Sequence, residues 1–436
     1  QGEILGPGRC AMASPLLRPP LRPARRRSVT NALTPPRESW GRLRQGFGLA
    51  AAGLLALLRQ PCLRVGSAGR SGLTFSGGLN FLGTARGTCS SAGRCNSAVA
   101  CFAKPLGGPA KPLRLVSYNI KGFGSGFDVM SKDPRDVAEA YGRLRQDLQR
   151  LDADVVCLNE VVRFPFTDPE GRKRPDSLEA IAEDLGDMQV RFAHATPGFE
   201  RFGNAILVSK AVQLLGNASM HLNGGSVVRT KEGREKRIVR SILAVHLKLA
   251  EPQEPDPRNP VPPPGLAVMA THWDHISEEE RQTQASSAIV QRGELSAYLP
   301  FIMMGDLNAL KRSDYKQREW QAIVERNQAK GWSPPTDSSS LKLLENAGYE
   351  DLLERTLAEG ESLARIPAEM KMTAPADDPN IRIDYAFISR ELSAALETLR
   401  QGPPGAPLKP FPARAFVYKD AVGSDHLPIC VELPRR

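Results

Sequence analysis

Six short apolar runs end in, or are broken by, side chains that water normally holds. "LRLVSYNI" (113–120) carries Asn119 near its end, and "ADVVCLNEVV" (153–162) carries Glu160. "LAVMATHWDH" (266–275) closes on His272, Asp274 and His275, and "FIMMGDLNAL" (301–310) on Asp306 and Asn308. Asp384 interrupts "IRIDYAFIS" (381–389), and Asp425 and His426 stand just ahead of "PICVEL" (428–433). Runs this short, apolar on both faces, are expected as strands covered on two sides. The reading is an α/β chain with two sheets packed face to face and helices outside. A sheet sets strand ends from distant sequence beside one another on one rim, which is where these polar residues would meet.

The intervening sequence supplies the covers. "DPRDVAEAYGRLRQDLQRL" (133–151) repeats its apolar residues at helical spacing. Residues 277–299 read as one helix started by a Ser277 cap, and 316–330 as a polar helix. "GNAILVSK" (203–210) and "RIVRSILAVHLKL" (237–249) are further strands, and the Pro-rich stretch 252–265 is a loop joining a hairpin. No repeat at a fixed period is present.

Charge divides the chain in two. Residues 1–100 hold fourteen Arg, no Lys, and only Glu3 and Glu38 as acids, so the net +10 belongs to this leader and the remainder is slightly acidic. Residues 1–103 are expected as a basic, acid-poor organelle address, plastid or mitochondrial, without a packed core, and Met12 as its start. "FGLAAAGLLALL" (47–58) is too short for a membrane span, which takes about 20 residues. Residues 104–436 are expected as one domain with no membrane anchor, and a monomer by default. An acidic body argues against long, tight contacts with duplex DNA, whose affinity rests on many phosphate contacts. Cys157 and Cys430 sit inside apolar runs and read as buried hydrophobes; no paired-Cys metal spacing occurs.

Acids gathered on one rim would repel and raise one another's pKa unless a cation neutralised them. Oxygen donors with no Cys and few His favour Mg²⁺ or Mn²⁺ over zinc. "SYNI", "LNEV", "THWDH", "GDLNA", "RIDYAFIS" and "GSDHLP", in this order over roughly 113–434, resemble the endonuclease/exonuclease/phosphatase (DNase I-like) superfamily. The resemblance implies a four-layer αββα sandwich of two mainly antiparallel sheets flanked by helices. It implies a metal-dependent hydrolase of phosphate esters. In it Glu160 would be the main metal carboxylate, with Asn119 and Asp425 as helpers. Asp306 would orient or deprotonate the attacking water, Asn308 and His272 would hold phosphoryl oxygens, and Asp384 would orient the catalytic His426.

Two features bear on substrate. "RTKEGREKRIVR" (229–240) is a dense charge run ahead of a site strand, so Arg237 and Arg240 are candidates for substrate phosphate, as is Asn204. Apurinic endonucleases carry an acid shortly after the first Asn, whereas this chain has Lys121. The expected activity is a phosphodiesterase on DNA or RNA. The alternatives are a phosphatase or phosphodiesterase on a small or lipid phosphate (inositol phosphate or sphingomyelin type), or an inactive binding module. The segment 311–345, with Trp320 and Trp332, is expected to shape the pocket. Asp274 and His275 read as structural, and His194, His221 and His246 as lying outside the site.

Overall fold

All six polar-ended runs are strands in the computed structural model, which describes residues 111–435 except 125, 127–131, 197–198, 230–232, 250–264, 331–333, 359 and 402–406. The leader 1–103, most of the Pro-rich loop and Trp332 therefore lie outside the described residues. The first six-stranded sheet runs 414–417, 429–433, 113–119, 155–162, 199–208, 189–196. The second runs 350–351, 384–388, 301–306, 265–272, 240–248, 213–222. Each sheet has one parallel pair at its centre, 113–119 with 155–162 and 265–272 with 301–306, and is otherwise antiparallel.

Parallel neighbours need a crossover, and helices supply both. Pro134–Leu151 joins the first pair, with Asp133 accepting from the Arg135 amide at 2.8 Å as its cap. Ser277 caps the second crossover as expected, but the helix is interrupted: Glu278–Val290 is followed by Arg292–Ser296.

The layers follow from burial. Leu115, Cys157, Ile206, Val245, Val268, Met304 and Val431 pack between the sheets. Val116, Leu158 and Leu207 face outward against Tyr141, Leu144 and Leu148 of Pro134–Leu151 and Ile181 of Ser177–Asp184. Met269, Met303 and Phe387 do the same against Ala285, Leu295 and Leu344 on the other side. The result is the expected four-layer sandwich. Both thiols are buried, which pushes them up to about 12 and leaves them inert. No described helix is long and apolar enough to cross a membrane.

Two backbone features shape the rim. Lys121, Gly122, Phe123 and Gly124 have φ of 41°, 61°, 58° and 74°, a left-handed turn closed by Gly124 N donating to Ile120 O at 2.7 Å. Left-handed backbone costs a non-glycine residue about 1–2 kcal/mol. Full burial of the Phe123 ring, against Tyr141 and Phe164, opposes that cost.

The second feature is a close approach. Asp147, buried in Pro134–Leu151, accepts from Val422 N at 2.9 Å, Gly423 N at 2.6 Å and the Tyr118 hydroxyl at 3.2 Å. This ties the loop carrying Asp425 and His426 to a rigid helix. A Cβ on Gly423 would stand 2.6 Å from the Leu144 Cα. Gly423→Ala is expected to cost about 1–3 kcal/mol by overpacking and to depress activity further than stability. Urea denaturation and turnover measured on one sample check this; a variant with wild-type values of both would show that the approach is unimportant.

Candidate active site

Register brings the polar residues together. Within the second sheet His272 pairs with Asp306, and Asp306 with Asp384, so three site candidates form a row across adjacent strands. Within the first sheet Asn119 pairs with Asn159, next to Glu160. The rows face one another: Asn119 Nδ2 donates to Asp306 Oδ2 at 3.0 Å across the gap between sheets. His426, from the loop before the last strand, places Nδ1 2.9 Å from Asp384 Oδ2 and Nε2 3.9 Å from Asp306 Oδ2.

The ionisation states follow from these neighbours. Burial alone would pull the His426 imidazole down, but Asp384 outweighs it and raises the ring to about 10. His426 is therefore an imidazolium at neutral pH. Burial and the Asp384 charge together raise Asp306 far above the ordinary carboxylate range, with His426 opposing. Burial also raises Glu160, against the pull of His426 and Arg240.

His272 is the opposite case. Burial, then the Arg240 charge, hold it well below its ordinary value of 6.5, so the ring is neutral. Arg240 Nη1 lies 3.2 Å from His272 Nδ1. A guanidinium can only donate, so Nδ1 accepts and the ring proton sits on Nε2. That N–H lies 3.7 Å from both Glu160 Oε1 and Asp306 Oδ2. The second Arg240 nitrogen lies 3.2 Å from His275 Nδ1 in the same way.

The Asp306–Asn308 segment is an Asx turn and part of the site at once. Asn308 N donates to Asp306 Oδ1 at 2.9 Å, leaving Oδ2 for Asn119, and the Asn308 amide donates to Trp273 O at 3.2 Å. Glu160 and Asn308 both hold positive φ, 55° and 49°. Strained backbone of this kind persists only where the surroundings over-determine it.

The candidates for substrate phosphate fall in different places. Arg240 is 4% exposed and its guanidinium is directed at the two His rings. Arg237 lies on the exposed ribbon 227–229/235–237, donating to Gly225 O at 2.8 Å. Asn204 is buried between the sheets: its Oδ1 accepts from Asn159 at 2.9 Å and its Nδ2 donates to Ser241 O at 2.8 Å. These placements give Arg240 and Asn204 an inward, organising position in this structure.

Among the described residues, the side chains close enough to share one ion are Asp306, Asp384 and His426, within 4.8 Å. His426 Nδ1 is turned to Asp384 there, so only its Nε2 would be open to an ion. Glu160, Asn119 and Asp425 offer a different, all-oxygen set, the chemistry that suits a hard divalent cation. Glu160 has no Lys or Arg ion pair among the described residues, and Asp425 has only Lys121, at 2.5 Å on the exposed rim.

The endonuclease/exonuclease/phosphatase family model matches residues 116–426, the span that carries every one of these groups. The chain belongs to that family. Members of the endonuclease/exonuclease/phosphatase family hydrolyse phosphate esters, and this chain is accordingly a phosphoesterase by descent. Solved structures similar to it include a Bacteroides thetaiotaomicron mannosyl-6-phosphatase, at 17% identity and a TM-score of 0.43, covering 73% of this chain and 98% of that one. The human Nocturnin catalytic domain with bound sulfate matches at 14% identity and 0.43, covering 74% and 93%. Caenorhabditis elegans TDP2 matches at 14% and 0.40, covering 74% of each. A comparison with curated protein sequences found no match.

The parts played by three organising residues of this family member escape a reading of the sequence. Asn159 donates to Thr271 O at 3.0 Å and accepts from Asp306 N at 3.1 Å, joining the sheets beneath the site. Asp147 holds the 422–426 loop, and Lys121 pairs with Asp425. A polar amide inside "VVCLNEVV" is the only available signal for Asn159. Asp274 is structural, as expected: it accepts from Ser226 N and from the Ile276 and Ser277 amides at 2.8–2.9 Å. His221 and His246 bond to the carbonyls of His194 and Leu295, away from the site.

Arg240→Met removes the group that fixes the His272 tautomer. Turnover is expected to fall by about 10²-fold, the usual cost of misplacing one reacting group. Steady-state kinetics alongside circular dichroism check this, and unchanged kcat in a folded variant would show that the tautomer is set elsewhere.

Proposed function

We propose that the chain is a divalent-metal-dependent phosphodiesterase acting on nucleic acid. The observation that carries the hydrolytic part is the linked set Asn119–Asp306–His426–Asp384, closed across both sheets with Glu160 and His272 beside it. Asp306, basic for a carboxylate because it is buried among acids, takes or orients the proton of the attacking water. The His426 imidazolium, aimed by Asp384, stabilises the anionic oxygen that develops as the ester breaks. The neutral His272 Nε2–H donates to a phosphoryl oxygen, and the buried Arg240 charge behind it supports that polarity. Glu160, Asn119 and Asp425 would hold the Mg²⁺ or Mn²⁺, which supplies Lewis-acid neutralisation of phosphoryl charge.

The choice of nucleic acid is supported by the cationic ribbon next to the site. Arg229, Arg234, Lys236 and Arg237 are exposed on or beside 227–229/235–237, and Gly225 and Ser226 fasten its base to Glu280 and Asp274. Exposed cations on a short ribbon suit a repeated backbone phosphate. The basic, acid-poor residues 1–103 fit an organelle address ahead of the enzyme domain.

Hydrolysis by the full chain tests the reading, with Mg²⁺, Mn²⁺ or chelator against single- and double-stranded DNA, RNA, abasic DNA, inositol phosphates and bis(p-nitrophenyl) phosphate. Metal-dependent cleavage of a polynucleotide is the expected result. Turnover of small or lipid esters alone would reassign the substrate class, and no turnover of any would return the protein to a binding role.

A further inference from the structure

Beside the catalytic rim a cavity of about 460 Å³ opens between the left-handed turn and the 422–425 loop. It shares Ser424 and Asp425 with the site and is lined by the cations Lys121, Lys132 and Arg143. Lys132 forms no ion pair among the described residues. Arg143 is held by Glu139 at 2.6 Å, an exposed pair within one helix, and such pairs contribute little and yield readily to a better partner. Lys121 reaches from the cavity wall to Asp425.

Glycine keeps the space open. Gly124 packs so tightly that a Cβ would stand 2.7 Å from Gly423 O, which fixes the turn against the loop. A Cβ on Gly126 would meet no described atom within 4 Å. Among the described residues, Asp377 is the one other acid lining the cavity besides Asp425. The described lining thus sets three cations against two acids, with Asp425 already turned to Lys121.

We propose that this cavity is a second phosphate subsite, which holds a phosphate of the substrate other than the one being hydrolysed. This rests on the phosphoesterase reading of the adjoining site and narrows its substrates to esters carrying more than one phosphate. The second phosphate belongs either to the next nucleotide of a strand or to a small bisphosphate. Lys132 and Arg143 hold it by charge-assisted hydrogen bonds, and Lys121 spans the two sites.

The test uses the full chain and the variant Lys132→Ala/Arg143→Ala. Substrates are bis(p-nitrophenyl) phosphate, with one phosphate, a short oligonucleotide, and an inositol bisphosphate. The variant is expected to keep its kcat/KM on the one-phosphate ester. On the oligonucleotide or the bisphosphate, KM should rise at least about tenfold with kcat little changed. Which of the two responds identifies the source of the second phosphate. Equal losses on all substrates, or none on any, would overturn the subsite. Calorimetric binding of inorganic pyrophosphate without metal separates this from failure of the hydrolytic reading. Weaker binding to the variant supports the subsite even if no ester is turned over, and equal binding rejects it.

Discussion

His426→Ala is expected to lower turnover by about 10²–10⁴-fold, the range for a positioned proton-transfer group, while circular dichroism stays that of the native fold. The ring sits on a loop that Asp147 already holds by its backbone, so removing the imidazole leaves the loop tethered. What is lost is the ring aimed between Asp384 and Asp306. Asp306→Asn should act similarly, because the amide keeps an acceptor for Asn119 but is no base. Near-wild-type kcat in either folded variant would remove these residues from the mechanism. The imidazolium also leaves a mark on stability. His426 has its folded pKa raised from 6.5 to about 10. The stabilisation from its pairing is therefore complete below pH 6.5 and is lost as pH rises through about 10. Unfolding free energy measured across that window should decline more in the native chain than in His426→Ala.

The second large effect is on folding. Arg382 is fully buried two residues before Asp384, with Nη1 2.9 Å from Asp314 Oδ2 and Nη2 2.5 Å from Asp351 Oδ2. Its guanidinium lies 4.3 Å over the Tyr385 ring. It fastens the 312–314 turn to the strand that delivers the acid behind His426. Arg382→Met would strand two buried acids, and about 3–5 kcal/mol of stability should be lost. Adding Asp314→Leu and Asp351→Leu to Arg382→Met should recover much of it, since apolar replacement of an entire buried ionic cluster is often neutral. Urea unfolding of the two variants decides this: equal destabilisation by both would mean that packing, not stranded charge, sets the loss.

The sequence exposed the middle of each sheet and hid its margins. Strands 113–119, 155–162, 265–272 and 301–306 are covered on both faces and so read as continuous apolar runs. The edge strand Gln213–Leu222 alternates exposed and half-buried positions through Gly216 and Asn217, which weakens any strand pattern. The helix expected over 277–299 breaks at Gln291 and its second piece ends at Ser296, where a Cβ on Gly293 would stand 2.9 Å from the Tyr298 ring. The site shows the same division. Asp306, Asp384 and His426 are visible because a charge beside a buried strand needs a reason. Asn159, Asp147 and Arg382 do their work through partners far along the chain, which no local pattern reports. The 311–345 segment, expected to shape a pocket, carries Trp320 against Tyr315 and under Arg312, so its described indole serves packing.

The donors of this site are divided between two sheets that touch mainly through aliphatic side chains. Such contacts are non-directional and tolerate a small slide at little cost. Hydrogen bonds such as Asn119 to Asp306 do not, since they weaken steeply with misalignment. The catalytic centre is thus a seam that functions as a gauge of how the halves are docked. A displacement too slight to unfold either sheet would already part the base from the imidazolium. Asn119, Asn159 and Asn204 bridge the sheets at and beneath the seam by hydrogen bonds, so the setting of the gauge is itself held by directional contacts.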